Sequence, residues 1–311
     1  MTRRTPVNRA QRRLRRPPRE RFSTRTLAFD AGGDTCRGTL YLPGGGDDPP
    51  TVVMGPGLGA ERGFGYPAVA ERFANAGYAA FLFDYRGFGE SDGTGQLVDP
   101  GRQRADYAAA VERLADVDAV GSGRVLWGAS LAGGHVLALA ADRRDVDAVV
   151  AVTPVLDARA VVVARGGRYV ARVGVAGVRD LLGHRLGRGQ TVPIVGETGT
   201  LAAITEPGAK RAYLDLVDRE STWRNRTPAR SLLRLAGYRP GERLAEIRTP
   251  TLLLGGTDDQ IVPAATVADA AETLRRASLV ITPADHFSVF GADFEPAVGH
   301  QLAFLRDALG S

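Results

Sequence analysis

Short apolar runs alternate with longer amphipathic or small-residue stretches along most of the chain, and this alternation constrains the fold more than any other feature. TVVMG (51–55), YAAFLFD (78–84), RVLWG (124–128), VDAVVAVTP (146–154), TPTLLLGG (249–256) and ASLVITP (277–283) read as strands. Between them, PAVAERFANAG opens with Pro67 and closes at Gly77, the residue types that suit a helix start and a helix stop. Further helices are expected at about 102–119, at 131–142, from Pro263 to about Leu274, and at 295–309. Strands and helices in this order specify βαβ units, hence a mainly parallel sheet with helices on both faces and right-handed crossovers. RTLAFD (25–30) and CRGTLYL (36–42), joined by AGGDT, read as a β-hairpin ahead of it. With 311 residues, 44% of them hydrophobic, the chain can bury the core of one large α/β domain.

Two segments break the pattern. Residues 157–247 are Arg-rich and mixed, with helical stretches at roughly 158–182 and 209–219, and they read as a cap or lid inserted into a core domain made of 25–156 and 248–311. Residues 1–24 read as a disordered tail. Residues 1–25 carry ten arginines and one acid, so of the chain's net charge of +5 the remainder carries −4. Such a tail can attract nucleic acid or an anionic membrane; the plainer expectation is a solvated leader without a partner. No apolar run approaches the length of a membrane span, and the basic N-terminus is not followed by the apolar stretch of a secretory signal. The single cysteine, Cys36, cannot form an internal disulfide; it reads as a small core residue in a reducing, cytoplasmic setting.

Chemistry concentrates at one place. RVLWGASLAGG runs from a strand, through a cluster of small residues around Ser130, into a helix. A serine on a strained strand-to-helix turn presents its hydroxyl above the sheet, and residues two positions to either side must be small because backbone crowds there. Gly128 satisfies this fully, and Ala132 replaces the second glycine of the usual G-x-S-x-G. A serine hydroxyl becomes nucleophilic only with a base to take its proton and an acid to orient the base. Of four histidines, His286 lies in a loop after the last strand, where this topology puts the base; His135 is too near Ser130 in sequence, His184 is in the insertion and His300 is inside the last helix. The acid follows the preceding strand: Asp259 from its register in GGTDDQIVP, with Asp258 as an alternative and Asp157 a distant third. The backbone N–H groups of Leu131 and Leu58 are the expected oxyanion donors. GPGLGA (55–60) also imitates a dinucleotide-binding glycine loop, but Pro56 removes a donor and the next helix starts too late. No cofactor is implied, and no metal site, since the Cys and His spacings of zinc sites are absent.

The pieces VVMGPGLGAER, AAFLFDYRGFGESDG, WGASLAGG, GGTDDQIVP and ADHF, in this order, resemble the α/β-hydrolase fold superfamily, and within it bacterial esterase- and dienelactone-hydrolase-like proteins. The resemblance covers about residues 25–310 and implies Ser130 as nucleophile, Asp259 as acid and His286 as base. Two departures are Pro56-Gly57 where such proteins carry His-Gly before the oxyanion donor, and Ala132 at the end of the elbow. The function expected is hydrolysis of a small-molecule carboxylic ester through an acyl-enzyme. Cleavage of an amide, thioester or carbon–carbon bond, or non-catalytic ligand binding, are the alternatives on the same scaffold.

Overall fold

The computed structural model describes residues 22–45 and 47–310. Strand β1 (Phe22–Ala31) returns through Gly32-Gly33 into β2 (Asp34–Pro43), pairing antiparallel from Phe22↔Pro43 to Ala31↔Asp34. Both turn glycines have positive φ, 64° and 89°, as a two-residue hairpin turn that follows strand twist requires. Then come β3 (Thr51–Gly55), α1 (Tyr66–Asn75), β4 (Ala79–Phe83), α2 (Pro100–Arg113), β5 (Arg124–Ala129), α3 (Leu131–Asp142) and β6 (Ala148–Val152). The inserted stretch supplies α4 (Ala158–Ala164), α5 (Gly167–Gly183), β7 (Thr191–Val192), α6 (Ala209–Asp215), β8 (Thr227–Pro228) and α7 (Arg230–Leu235). The chain closes with β9 (Thr251–Gly256), α8 (Ala264–Thr273), β10 (Ala277–Thr282) and α9 (Phe294–Leu309).

Eight strands form one sheet in the order β1-β2-β4-β3-β5-β6-β9-β10, antiparallel at β1-β2 and β2-β4 and parallel across the rest. The central strands are buried on both faces, so they read as continuous apolar runs. Their side chains alternate between two cores. Val53, Phe81, Phe83 and Leu126 pack with α2 and α3; Val52, Met54, Leu82 and Trp127 pack with α1 and α9. Cys36 is fully buried in the first of these cores, and burial pushes its thiol up to about 12.

Several boundaries differ from the sequence expectation. Strand β1 begins at Phe22, so residues 22–24 are strand and not tail; the rest of the tail, with its nucleic-acid and membrane readings, lies outside the described residues. Helix α2 starts at Pro100, two residues early, because the Asp99 carboxylate accepts from the N–H groups of Gly101 and Arg102. It ends at Arg113 and continues only as a 3-10 turn through Asp116. The stretch at 158–182 is two helices, broken where Gly166 adopts φ 88°. Helix α7 has no counterpart in the expectation. Its position is set by packing: Leu233 fills the space at Gly177 of α5, and Asp180 of α5 accepts from Arg230 N and Nη1, both at 2.9 Å, and from Gln190 N at 2.8 Å. Burial alone would raise the Asp180 pKa; these donors hold it below the usual carboxylate range.

Candidate active site

Ser130 joins β5 to α3 with φ 56° and ψ −120°, a conformation that costs a non-glycine residue roughly 1–3 kcal/mol. The elbow is clamped from β6 and the segment after it: Ser130 N donates to Val152 O at 2.9 Å, and Ser130 O accepts from Val155 N at 3.0 Å. The small neighbours have steric causes. A Cβ at Gly128 would overlap the carbonyl of Ala132, and one at Gly134 would overlap the carbonyl of Val155. Ala132 itself is fully buried, so a methyl fits where the usual motif has glycine.

Three loops at the C-terminal ends of parallel strands bring the sequence candidates together. His286, after β10, places Nε2 2.8 Å from Ser130 Oγ and Nδ1 2.7 Å from Asp259 Oδ2. A carboxylate only accepts, so Nδ1 carries the proton and Nε2 is the lone pair that faces the hydroxyl. Asp259, after β9, has its other oxygen fixed by Ile261 N and Val262 N, each at 2.8 Å. Asp285 braces the histidine loop by accepting from Phe287 N and Ser288 N at 2.8 Å. His286 and Asp259 are buried, and Ser130 is half-buried. Asp258 is exposed, beside Thr257 Oγ1 at 3.4 Å, and does not reach the imidazole. Asp157 caps α4 by accepting from Ala160 N.

The remaining histidines are elsewhere. His135, on α3, is fully buried between Tyr238 Oη at 2.8 Å and Gln103 Oε1 at 3.3 Å, and burial lowers its pKa to about 3. His184 bonds the carbonyls of Asp180 and Leu181, and His300 is exposed on α9. Among the described residues no group of three or more Cys, His, Asp or Glu side chains could hold a metal.

The loop after β3 lies against the elbow: a Cβ on Gly57 would be 3.4 Å from that of Ser130. Gly55 is a glycine because Tyr85 crosses it, and α1 begins only at Tyr66, so the glycine loop faces the serine and not a helix N-terminus. Gly57 N donates to Tyr66 Oη at 2.9 Å and Gly57 O accepts from Ala60 N at 3.3 Å. Across a trans peptide the N–H opposes the C=O, so the Leu58 N–H points away from Ala60. Leu131 opens α3, where first-turn N–H groups have no partner within the helix. Two residues that sequence reasoning missed hold this loop: Tyr66, and Tyr213 on α6, whose hydroxyl donates to Leu58 O at 3.0 Å. Trp223 adds a third bond, Nε1 to Gly59 O at 2.8 Å, and packs edge-on against Phe64.

Two pockets meet at Ser130 and share Leu58 and Ile204 as a partition. One is mainly aromatic, walled by Phe64, Tyr66, Tyr213, Phe287 and Phe290. The other is mainly aliphatic, walled by Leu131, Val161, Val162, Leu232 and Leu235, with Arg165 at its edge.

A model of the alpha/beta hydrolase fold family matches residues 50–293. Quorum-quenching protein AidA of Acinetobacter baumannii is 33% identical over 284 residues, covering 90% of this chain and 93% of that protein. Thiohydrolase aneE of Aspergillus aculeatus is 29% identical over 295 residues, covering 89% and 91%. Among solved structures, DcsB in complex with its substrate analogue aligns with a TM-score of 0.82 at 24% identity, covering 93% of this chain and 100% of that one. By the length of the family match and the AidA likeness, the chain belongs to the alpha/beta hydrolase fold family and is a hydrolase.

Proposed function

We propose that the protein cleaves carboxylic esters of small molecules by acyl transfer to Ser130. The observation that carries this reading is the relay from Asp259 through His286 to the Ser130 hydroxyl, at 2.7 and 2.8 Å. Ser130 Oγ attacks the ester carbonyl while His286 Nε2 takes its proton; the tetrahedral oxyanion lies between the N–H groups of Leu58 and Leu131. His286 then gives the proton to the departing alkoxide, which leaves as alcohol. Water, deprotonated by the same imidazole, hydrolyses the acyl-enzyme and releases the acid. Asp259 stays ionised and stabilises the imidazolium.

The two pockets on either side of Ser130 suit the acyl and alcohol portions of one substrate, and residues 157–247 act as a cap that walls both. A thioester is the second substrate class, favoured by the likeness to a thiohydrolase. A fluorophosphonate probe should label the protein and fail to label Ser130→Ala; equal labelling of both, or of neither, overturns the assignment. Turnover of matched oxygen-ester, thioester and anilide substrates ranks the bond cleaved.

A further inference from the structure

Apolar exposure on this molecule is not scattered. Of ten large hydrophobic side chains exposed among the described residues, seven lie between Val163 and Leu186, on α4, α5 and the turn that follows. On α5 they form one stripe. At 100° per residue, Val170, Ala171, Val175, Val178, Leu181 and Leu182 share an outward arc, with Leu182 70% exposed. Tyr169, Val173, Gly177 and Asp180 occupy the opposite arc and pack inward, chiefly onto α7. The outer face of a surface helix is ordinarily polar. Here the polar residues are displaced to one flank, where Arg168, Arg172 and Arg179 make a ridge beside the stripe.

We infer that α5 lies flat on an anionic lipid surface, with its Val/Leu stripe in the acyl boundary and its arginine ridge against lipid phosphates. An exposed apolar arc flanked by arginine is the pattern of a helix that lies in the membrane interface, and each arginine near an anionic leaflet adds about 1 kcal/mol. No described helix is long and apolar enough to cross a membrane. Charge decides for lipid over a second copy of the chain. Residues 158–188 contain seven arginines and one acid, Asp180, which is buried and bonded to Arg230. Helices α4 and α5 themselves therefore offer no free carboxylate to the ridge of another copy, the exposed Glu197 nearby is paired with Lys210, and among the described residues Arg168 and Arg179 have no acidic partner. The same α4 whose Val163 extends the exposed patch walls the aliphatic pocket with Val161 and Val162.

The test is flotation of the full-length protein with vesicles of phosphatidylcholine alone and with 30% phosphatidylglycerol at physiological salt. The parent should bind the anionic vesicles. Val178→Asp/Leu182→Asp should lower the partition coefficient at least tenfold, and Arg172→Ser/Arg179→Ser at least threefold. Leu279→Asp, an exposed apolar position on β10, should leave it unchanged. All variants keep the basic N-terminus, so its own attraction to anionic lipid cancels. Thermal midpoint and turnover of a soluble short-chain ester should match the parent in each variant; absent turnover in the parent would count against the ester reading and not against lipid binding. Stripe-variant binding within twofold of the parent overturns the inference, as does a parent that ignores anionic vesicles. A parent dimer that the stripe substitutions convert to monomer assigns the face to a second copy instead.

Discussion

At residue scale, the candidate nucleophile sits in a backbone conformation that only its neighbours make tenable. Val152 and Val155 hold the main chain of Ser130, while Gly128 gives the room. The candidate acid is separated from its rival by a single position. Asp258 and Asp259 are chemically identical, and no periodicity distinguishes adjacent residues in a loop. What separates them is a turn in which Ile261 and Val262 donate to one oxygen of Asp259 and leave the other for the imidazole. Asp259→Asn should therefore lower kcat by about 10⁴, because an amide presents a donor to Nδ1 and selects the wrong tautomer. Asp258→Asn should change kcat less than threefold; steady-state hydrolysis of a soluble ester measures both. Ser130 and His286 were legible in the sequence because each has a topological address, after β5 and after β10. Tyr213 was not: it reaches Leu58 across 155 positions and has no local pattern.

At the scale of elements, legibility followed the strength of local signals. Strands β3 to β6 and β9 announced themselves as apolar runs, and α3 follows directly from the elbow. The insertion is less legible because α4 and α7 are seven and six residues long, lengths at which packing overrides propensity. Helix α3 carries one buried group with a consequence for stability. His135 stays neutral inside the protein, its pKa lowered to about 3 by burial, whereas the unfolded chain protonates it near 6.5. Between these values the unfolded state binds the extra proton, so stability falls as pH drops below 6.5, by about 1.4 kcal/mol per unit. Asp84 and Asp106 work the other way. Burial pushes both up to about 6 against the pull of Arg62 and Arg86, so the folded state takes up protons first and gains stability as pH falls through 6. His135→Gln removes only the first contribution. Urea unfolding at pH 6.5 and pH 4.5 should show the variant losing less stability than the parent, by about 2–3 kcal/mol.

At the scale of the molecule, the segment between β6 and β9 does more than wall the pockets. Tyr213 and Trp223 donate to successive carbonyls of the loop that contains the Leu58 N–H, and Ser221 Oγ donates to Glu61 Oε2 at 2.6 Å, so the loop is held from the inserted side as well as from the sheet. Tyr213→Phe should lower kcat about tenfold, with KM and thermal midpoint little changed, because it frees the Leu58–Gly59 peptide, next to the one whose Leu58 N–H is expected to meet the oxyanion, and leaves that N–H in place. Steady-state kinetics beside a melting curve separates this from simple destabilisation.

Strands β6 and β9 are neighbours in the sheet although the whole inserted segment separates them in the chain. Closing a loop grows costlier only logarithmically, about 0.6 kcal/mol for each doubling of its length. That junction is thus a tolerant splice point: the segment between Asp157 and Ile247 can be lengthened, trimmed or exchanged, and both pockets reshaped, so long as Val155 still meets Ser130 and the loop after β3 keeps its partners.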